Sequence, residues 1–553
     1  MRSKRIEILD QRPVNKDGFI NEWPEMGFSA MSSPYDPQPS VKVVDGVITE
    51  MDGKKREEFD FLDQFIADYG INIDKAESAM AVSALEIARM IVDINVSRKE
   101  ILDLVSGITP AKMVEVINYL NVVELMMGMQ KMRARKVPGN QAHITNLKDD
   151  PVQLAADAAE GALRGFSEEE TTMAIARYAP LSATALLIGS QVGRSGVLTQ
   201  CSAEEATELE LGIRGLTTYA ETLSVYGTEQ VFTDGDDTPY SKAFLTSAYA
   251  SRGLKVRFTS GSGSEVLMGM AEKKSMLYLE CRCLYVTKGA GAQGTQNGSV
   301  SCIGIPGSVP GGIREVMGEN LVASLLGLEC ASSNDQSFSN SDMRRTARTM
   351  LQFMPGTDFI FSGYAAEPNY DNVFAGSNFD AEDFDDYNVL QRDMQVDGGL
   401  KPVSEDEVIR VRCKAGKAVQ AAFKALGLAE ITDEQIEAVT YAHGSKDTLN
   451  RDSAADIMAA EDLMKKGITG IDVVKALAEN GFKDIADHIL NMLKQRVVGD
   501  YMQTAAILDK DFRVMSGVNT PNDYQGPGTG YRVEGERWEE IKAIPHIIDP
   551  NDF

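Results

Sequence analysis

The sequence predicts an α/β protein built on a (β/α)8 TIM barrel, with an N-terminal arm and helices before it and a helical extension after it. Two observations predict this. Short strand-like runs such as Lys255-Val-Arg-Phe-Thr-Ser260 and Asp358-Phe-Ile-Phe-Ser362 alternate with helix-like segments through the middle of the chain. Polar residues end those runs: Gln141-Ala-His143, Glu170, Glu221, Gln296, Asp335 and Ser362. Acidic and amide groups placed repeatedly at strand ends imply one pocket assembled from many strands, as at the C-terminal mouth of a barrel.

Three regions follow along the chain: 1–135, an N-terminal arm and helical segment; 136–400, the barrel that carries the site; and 401–553, a helical C-terminal region. The arm is rich in proline, at Pro13, Pro24, Pro34, Pro37 and Pro39, and holds one hairpin-like run from Val41 to Ile48. Helices start near residue 74. Thr109-Pro110, a capping residue followed by proline at the first helical position, opens one that the pattern carries to Val137-Pro-Gly-Asn140. Its methionines, Met126-Met-Gly-Met-Gln-Lys-Met132, read as core packing.

In the barrel region, strand candidates lie near residues 143, 172, 222, 257, 279, 302, 329 and 360. Helical patterns cover 151–163, 204–212, 239–250, 264–273, 311–325 and 341–353. Eight strands alternating with helices make right-handed βαβ units that can close. After the acidic loop Phe379–Tyr387, Ser404-Glu-Asp-Glu opens a helix and Thr432-Asp-Glu-Gln435 is a capping box for another. Helices run to about Leu493, and a glycine-rich tail holds Tyr524–Tyr531.

Composition excludes several classes. A chain of 553 residues exceeds one small core. A net charge of -27 argues against nucleic acid, which binds through excess Lys and Arg. The basic cluster Lys131-Met-Arg-Ala-Arg-Lys136 reads as a helix C-terminus complementing the dipole. Six cysteines form no zinc spacing, and Cys281-x-Cys283 reads as buried thiols on one strand face. There is no apolar signal core and no long apolar run, so a reduced, cytoplasmic, non-membrane protein is expected.

Gly289-Ala-Gly-Ala-Gln-Gly294 imitates a dinucleotide fingerprint, but Thr295-Gln-Asn-Gly is a poor helix start, so the motif is a decoy. Gly261-Ser-Gly-Ser264 is suited to backbone recognition of a polar ligand edge, or is simply a tight turn. The acidic loop lacks the glycine and terminal Glu of a calcium loop. His443, His488 and His546 read as structural, whereas His143, beside Gln141 and matched by Glu170 and Asp335, is a site candidate. Carboxylates, amides and one imidazole without an activated nucleophile suit a hydroxylated substrate or a hard cation better than acyl transfer or zinc.

At these residues the chain resembles the large subunit of adenosylcobalamin-dependent diol and glycerol dehydratases. The resemblance runs from Met1-Arg-Ser-Lys-Arg5 to Gly535-Glu-Arg-Trp-Glu-Glu-Ile541. Its blocks include Gln141-Ala-His-Ile-Thr-Asn146, Ser224-Val-Tyr-Gly-Thr-Glu229, Phe232–Pro239, Ser332-Ser-Asn-Asp-Gln336 and Pro368-Asn-Tyr-Asp371.

The resemblance implies a (β/α)8 barrel with extensions that converts glycerol or propane-1,2-diol to an aldehyde and water by radical hydroxyl migration. It places metal ligands on Gln141, Glu170, Glu221, Gln296 and the Ser362 carbonyl, for K+ or Ca2+. It implies catalytic roles for His143, Glu170 and Asp335, and substrate contacts from these with Gln296, Ser301, Gln336 and Ser362. Cobalamin contacts are implied at Thr172, Glu205, Thr222, Ser224, Asp234, Gly261, Ser301 and Phe374.

Leu267, Val373, Ala292 and Thr295 depart from the propanediol type, and Leu267 with the Tyr524–Gly530 tail leans towards glycerol. The implied partners are medium and small subunits in a dimer of heterotrimers, and a reactivating factor. The cytoplasm, or a bacterial microcompartment within it, is the implied location. A metal-dependent barrel enzyme without cobalamin and a non-catalytic structural paralogue are the rival readings; the intact set from Gln141 to Ser362 opposes the second.

Overall fold

The computed structural model describes residues 31–133, 140–143, 151–164, 168–173, 179–193, 198–202, 222–226, 238–240, 242–243, 246, 255–260, 274–297, 312–333, 358–362, 403–428, 430–441, 466–497, 506–508, 514–517 and 539–540. Several expected features, among them the helical patterns at 204–212, 264–273 and 341–353, the strand near 302, both acidic and glycine-rich tracts and Gly261–Ser264, lie outside the described residues.

The hairpin pairs β1 (Val41–Val44) with β2 (Val47–Met51), and β2 with β3 (Lys54–Lys55). Both turns are Asp-Gly with positive φ at each residue, 52° and 75° at Asp45-Gly46 and 48° and 76° at Asp52-Gly53. Such two-residue turns match the strand twist, and glycine takes the second position without strain.

Short helices follow: α1 (Phe61–Phe65), α2 (Ile73–Ala81), α3 (Ala84–Val92), α4 (Arg98–Val105), α5 (Pro110–Asn118) and α6 (Val122–Met132). The long helix expected after Thr109-Pro110 is therefore two. Asn121 accepts from the Glu124 N–H at 3.1 Å while Glu124 accepts from the Asn121 N–H at 2.8 Å, a capping box that restarts the helix. Lys131, in the last turn of α6 as expected, also donates to the Met90 and Asp93 carbonyls at 3.1 and 2.6 Å and so complements the C-terminus of α3 as well. Met129 and Met132 are buried, and Met127 is exposed.

Eight strands form a closed ring of parallel pairs: β4 (Asn140–His143), β5 (Glu168–Met173), β6 (Leu198–Ser202), β7 (Thr222–Tyr226), β8 (Lys255–Ser260), β9 (Gly294–Asn297), β10 (Glu329–Ser333) and β11 (Asp358–Ser362), the last pairing back onto β4. The described helices between them are α7 (Pro151–Arg164), α8 (Ala179–Gly193), α9 (Met276–Gly289) and α10 (Gly312–Leu325).

One strand expectation fails against this ring. Residues near 279 are helical, capped by Ser275, whose hydroxyl accepts from the Tyr278 N–H at 3.2 Å. All residues of α9 from Met276 to Thr287 are buried, so it lacks an apolar stripe and imitates a buried strand. Cys281 and Cys283 are thus buried thiols of a helix, not of a strand face. The strands at 198–202 and 294–297 were not expected. The glycine motif Gly289–Gly294 ends a helix and enters a strand, so it opens no phosphate-binding helix.

Helix α7 and α8 lie so close that a Cβ on Gly189 would collide with the Ala155 carbonyl. The C-terminal helix α11 (Glu405–Leu426), with its Ser404–Glu407 capping box, packs on both. Its Arg412 is wholly buried and pairs with Asp157 and Glu160 of α7 at 2.6 and 2.9 Å. Beyond it come α12 (Asp433–Thr440), with the expected Thr432–Gln435 box, α13 (Gly470–Glu479) and α14 (Lys483–Val497). A three-stranded antiparallel sheet of β12 (Ala506–Leu508), β13 (Val514–Gly517) and β14 (Glu539–Glu540) follows, where only a tail was expected.

Candidate active site

Pairing in the ring carries one pleat face from strand to strand, because partners in a parallel ladder share a face and alternate residues return to it. Ser362 pairs with His143, and His143 with Glu170. On the same strands Gln141 lies two residues before His143, and Thr172 two after Glu170. Thr172 pairs with Cys201, Cys201 with Ser224, Ser224 with Arg257 and Arg257 with Gly294. Two residues beyond Gly294 stands Gln296, which pairs with Thr259 and Ala331. The face closes on itself through Ala331–Asp358 and Ile360–Gln141.

Eight expected site residues are placed by this ring: Gln141, His143, Glu170, Thr172, Thr222, Ser224, Gln296 and Ser362. All eight fall on that single face. Residues of the other face at β8, Val256 and Phe258, are buried within the apolar core. His143 and Ser362 are the last residues of their strands and Gln296 the last but one of its own, so these lie at the carboxyl end of the ring. Glu170 stands in register with His143 at that level.

Glu205, Glu221, Asp234, Gly261, Ser301, Asp335, Gln336 and Phe374 lie outside the described residues, as do Leu267 and Val373. Of the other two departures, Thr295 falls on the opposite face from Gln296, paired with Phe258 and Cys330. Ala292 is buried in the connection from α9 to β9, where its N–H donates to the Thr287 carbonyl at 3.2 Å.

The oxygen donors suit a hard cation. Gln141, Glu170, Gln296 and the Ser362 carbonyl offer only oxygen, from strands that share one face of one ring. Thr172, Thr222 and Ser224 stand on the same face from β5 and β7. One residue of this face escaped the sequence reading. Arg257 is buried to 4% exposure on β8, and the charged positions alternating with apolar ones in Lys255-Val-Arg-Phe were its signal.

Polar residues of β4, β5, β9 and β11 thus share one face of a closed ring of parallel strands, the arrangement in which barrel enzymes place their sites. The family model described as dehydratase large subunit matches residues 1–552, and the chain belongs to this family. It is accordingly a hydro-lyase subunit. The chain is 68% identical over 552 residues, covering 100% of both chains, to the glycerol dehydratase large subunit of Citrobacter freundii. No helix among the described residues is long and apolar enough to cross a membrane.

Proposed function

We propose that the chain is the catalytic large subunit of an adenosylcobalamin-dependent (β/α)8-barrel dehydratase that converts glycerol to 3-hydroxypropanal and also accepts propane-1,2-diol. The observation that carries the site assignment is the shared face: residues drawn from β4, β5, β7, β9 and β11 return to one side of one ring. The full-length likeness to a glycerol dehydratase supports the substrate.

In this reading Gln141, Glu170, Glu221, Gln296 and the Ser362 carbonyl would hold a potassium or calcium ion, which would anchor the hydroxyls of the substrate before reaction. The ion's charge also lets several carboxylates share the pocket without one being forced to take a proton. His143 donates a hydrogen bond to the migrating hydroxyl, which moves more easily when partly protonated. Glu170 and Asp335 accept from the hydroxyl that stays, drawing its proton towards a carboxylate as the carbonyl forms. Ser301 and Gln336 complete the substrate contacts. Bound adenosylcobalamin supplies the radical chemistry, with Thr172, Glu205, Thr222, Ser224, Asp234, Gly261, Ser301 and Phe374 as its contacts on this chain.

Medium and small subunits complete a dimer of heterotrimers, and a reactivating factor serves the assembly, in the cytoplasm or in a microcompartment there. The test is reconstitution of the three subunits with each diol. Turnover is expected only with adenosylcobalamin present, and Glu170→Gln or Asp335→Asn is expected to lose most of it while the complex still assembles. Turnover without cobalamin, or full turnover in either variant, would overturn the reading.

A further inference from the structure

Helix α6 is apolar on two opposite sides. Leu125, Gly128, Met129 and Met132 form its buried side, packed so closely that a Cβ on Gly128 would lie 2.9 Å from Ile91 of α3 and from Leu321 of α10. Val123 and Met127 fall on the other side at 3.6 residues per turn, and they are 63% and 43% exposed. Tyr119, at the C-terminal cap of α5 and four residues before Val123, is 51% exposed. Lys131, one turn after Met127, reaches the Asp93 carbonyl at 2.6 Å and so brings Ile94, 89% exposed, to the far end of this line. Single exposed apolar side chains are ordinary, but a line of them marks a contact surface. A helix that is apolar all round is normally covered all round.

Charge differs between the two ends of the stripe. Glu124 stands in the first turn of α6, and Glu115, half-buried beside Lys112, lies one turn before Tyr119. At the other end α6 closes into the basic run Lys131-Met-Arg-Ala-Arg-Lys136. The carboxylates nearest Lys131 are already engaged, Asp93 by the Asn95 N–H and Glu100 by the Ser97 N–H. A second copy laid antiparallel would set Val123 against Met127 of the other chain and each acidic end against a basic one. The two helix dipoles would then also run in opposite senses. Chains of net charge -27 repel one another at long range, so two copies can meet only where local charges complement.

We propose that two large subunits pair through this stripe about a two-fold axis, with their α6 helices antiparallel. Such an interface uses the same patch on both copies and needs a surface complementary to itself. The inference gives a surface to the dimer of heterotrimers and rests on that reading.

The test is sedimentation of the assembled three-subunit complex. Val123→Glu combined with Met127→Glu puts two charges into the stripe at exposed positions, with a residue that favours helix. It is expected to raise the dissociation constant between heterotrimers about a hundredfold, as loss of central interface contacts does, while each heterotrimer keeps its three subunits. Co-expressed Val123→Cys and Met127→Cys chains should form an interchain disulfide on mild oxidation, far more than either variant alone. If the glutamate variant does not fold, the cysteine pair decides alone.

A glutamate variant that sediments as wild type does, or cysteine chains that stay separate within a wild-type dimer, would overturn the stripe as the pairing face. Loss of a smaller subunit, with the large subunits still paired, would assign the face to that subunit and overturn the proposal equally. A wild-type complex that is itself a single heterotrimer would sink the dimer reading, and the proposal with it.

Discussion

Arg412 is the sharpest place to test what holds the C-terminal region to the ring. Its guanidinium is fully buried, its Nη1 donates to Asp157 and Glu160 at 2.6 and 2.9 Å, and its Nε donates to the Val439 carbonyl at 3.0 Å. Both carboxylates are buried as well. Arg412→Met keeps an unbranched apolar stem and removes the guanidinium, leaving two buried carboxylates without their cation. Removing one partner of a buried ion pair costs about 3–5 kcal/mol. A cooperative unit of 150–250 residues loses about 2–4 °C for each kcal/mol, so Tm should fall by roughly 6–20 °C.

The loss should depend on pH. Burial pushes Asp157 up to about 7 even with Arg412 beside it, Glu160 adding to the effect. Its folded value exceeds the unfolded one, so the native state holds the proton more tightly, and this group's contribution to stability falls as pH rises from about 4 to about 7. Without the guanidinium Asp157 rises further, and the deficit of the variant should be larger at pH 8 than at pH 6. Adding Asp157→Asn and Glu160→Gln to Arg412→Met should restore part of the Tm, because a neutral set carries no unpaired charge. Thermal unfolding followed by circular dichroism measures all three. A fall under 2 °C at pH 8, or a larger deficit at pH 6, would refute the reasoning.

Three further outcomes are expected. Asp52 is buried, caps α5 by accepting the Ala111 N–H at 3.0 Å, and is pushed up to about 7 by burial. At pH 8 Asp52→Asn should match or exceed wild-type Tm while Asp52→Ala loses about 1–3 kcal/mol for the stranded N–H, as urea midpoints would show. Gly189→Ala forces a methyl against the Ala155 carbonyl where α7 meets α8, and should lower the urea midpoint by about 1–3 kcal/mol of stability; an unchanged midpoint would show that the helices part freely. In the reconstituted complex His143→Gln should keep measurable turnover and His143→Ala much less, since only Gln retains a donor; equal turnover would remove the hydrogen-bond role.

Different kinds of residue made different parts of this molecule legible. Capping chemistry was read directly at Ser404–Glu407 and Thr432–Gln435, because one box of four residues states where a helix starts. The box at Asn121–Glu124 carried the same message and was passed over inside a longer apolar pattern. The ring was harder. Helix α9 is buried all round, so its continuous apolar run carries no period that separates helix from strand. Leu198-Thr-Gln-Cys-Ser202 and Gly294-Thr-Gln-Asn297 fail for the opposite reason: they are short and mostly polar, and offer too few apolar residues for an alternation. The residue types at the site suggested hydroxyl or cation chemistry, but the specific roles came from the resemblance to the dehydratases.

That asymmetry has a physical cause. A strand in a parallel ring packs one face on helices, and its apolar content lies there, as Val256 and Phe258 show on β8. The face that gathers the site is free to be polar, and a strand of four residues with two polar site positions, such as Asn140-Gln-Ala-His143, keeps almost no apolar signal. The denser a strand's share of the site, the less its sequence looks like a strand. Its register must then be held by its neighbours rather than by its own pattern, since period-two alternation of apolar residues is what normally forbids a slip. β9 is the extreme case: Gly294-Thr-Gln-Asn297 contains no apolar side chain, pairs with both β8 and β10, and carries Gln296. Fixing such a strand falls to its backbone ladders with β8 and β10, a feature that no catalytic motif marks.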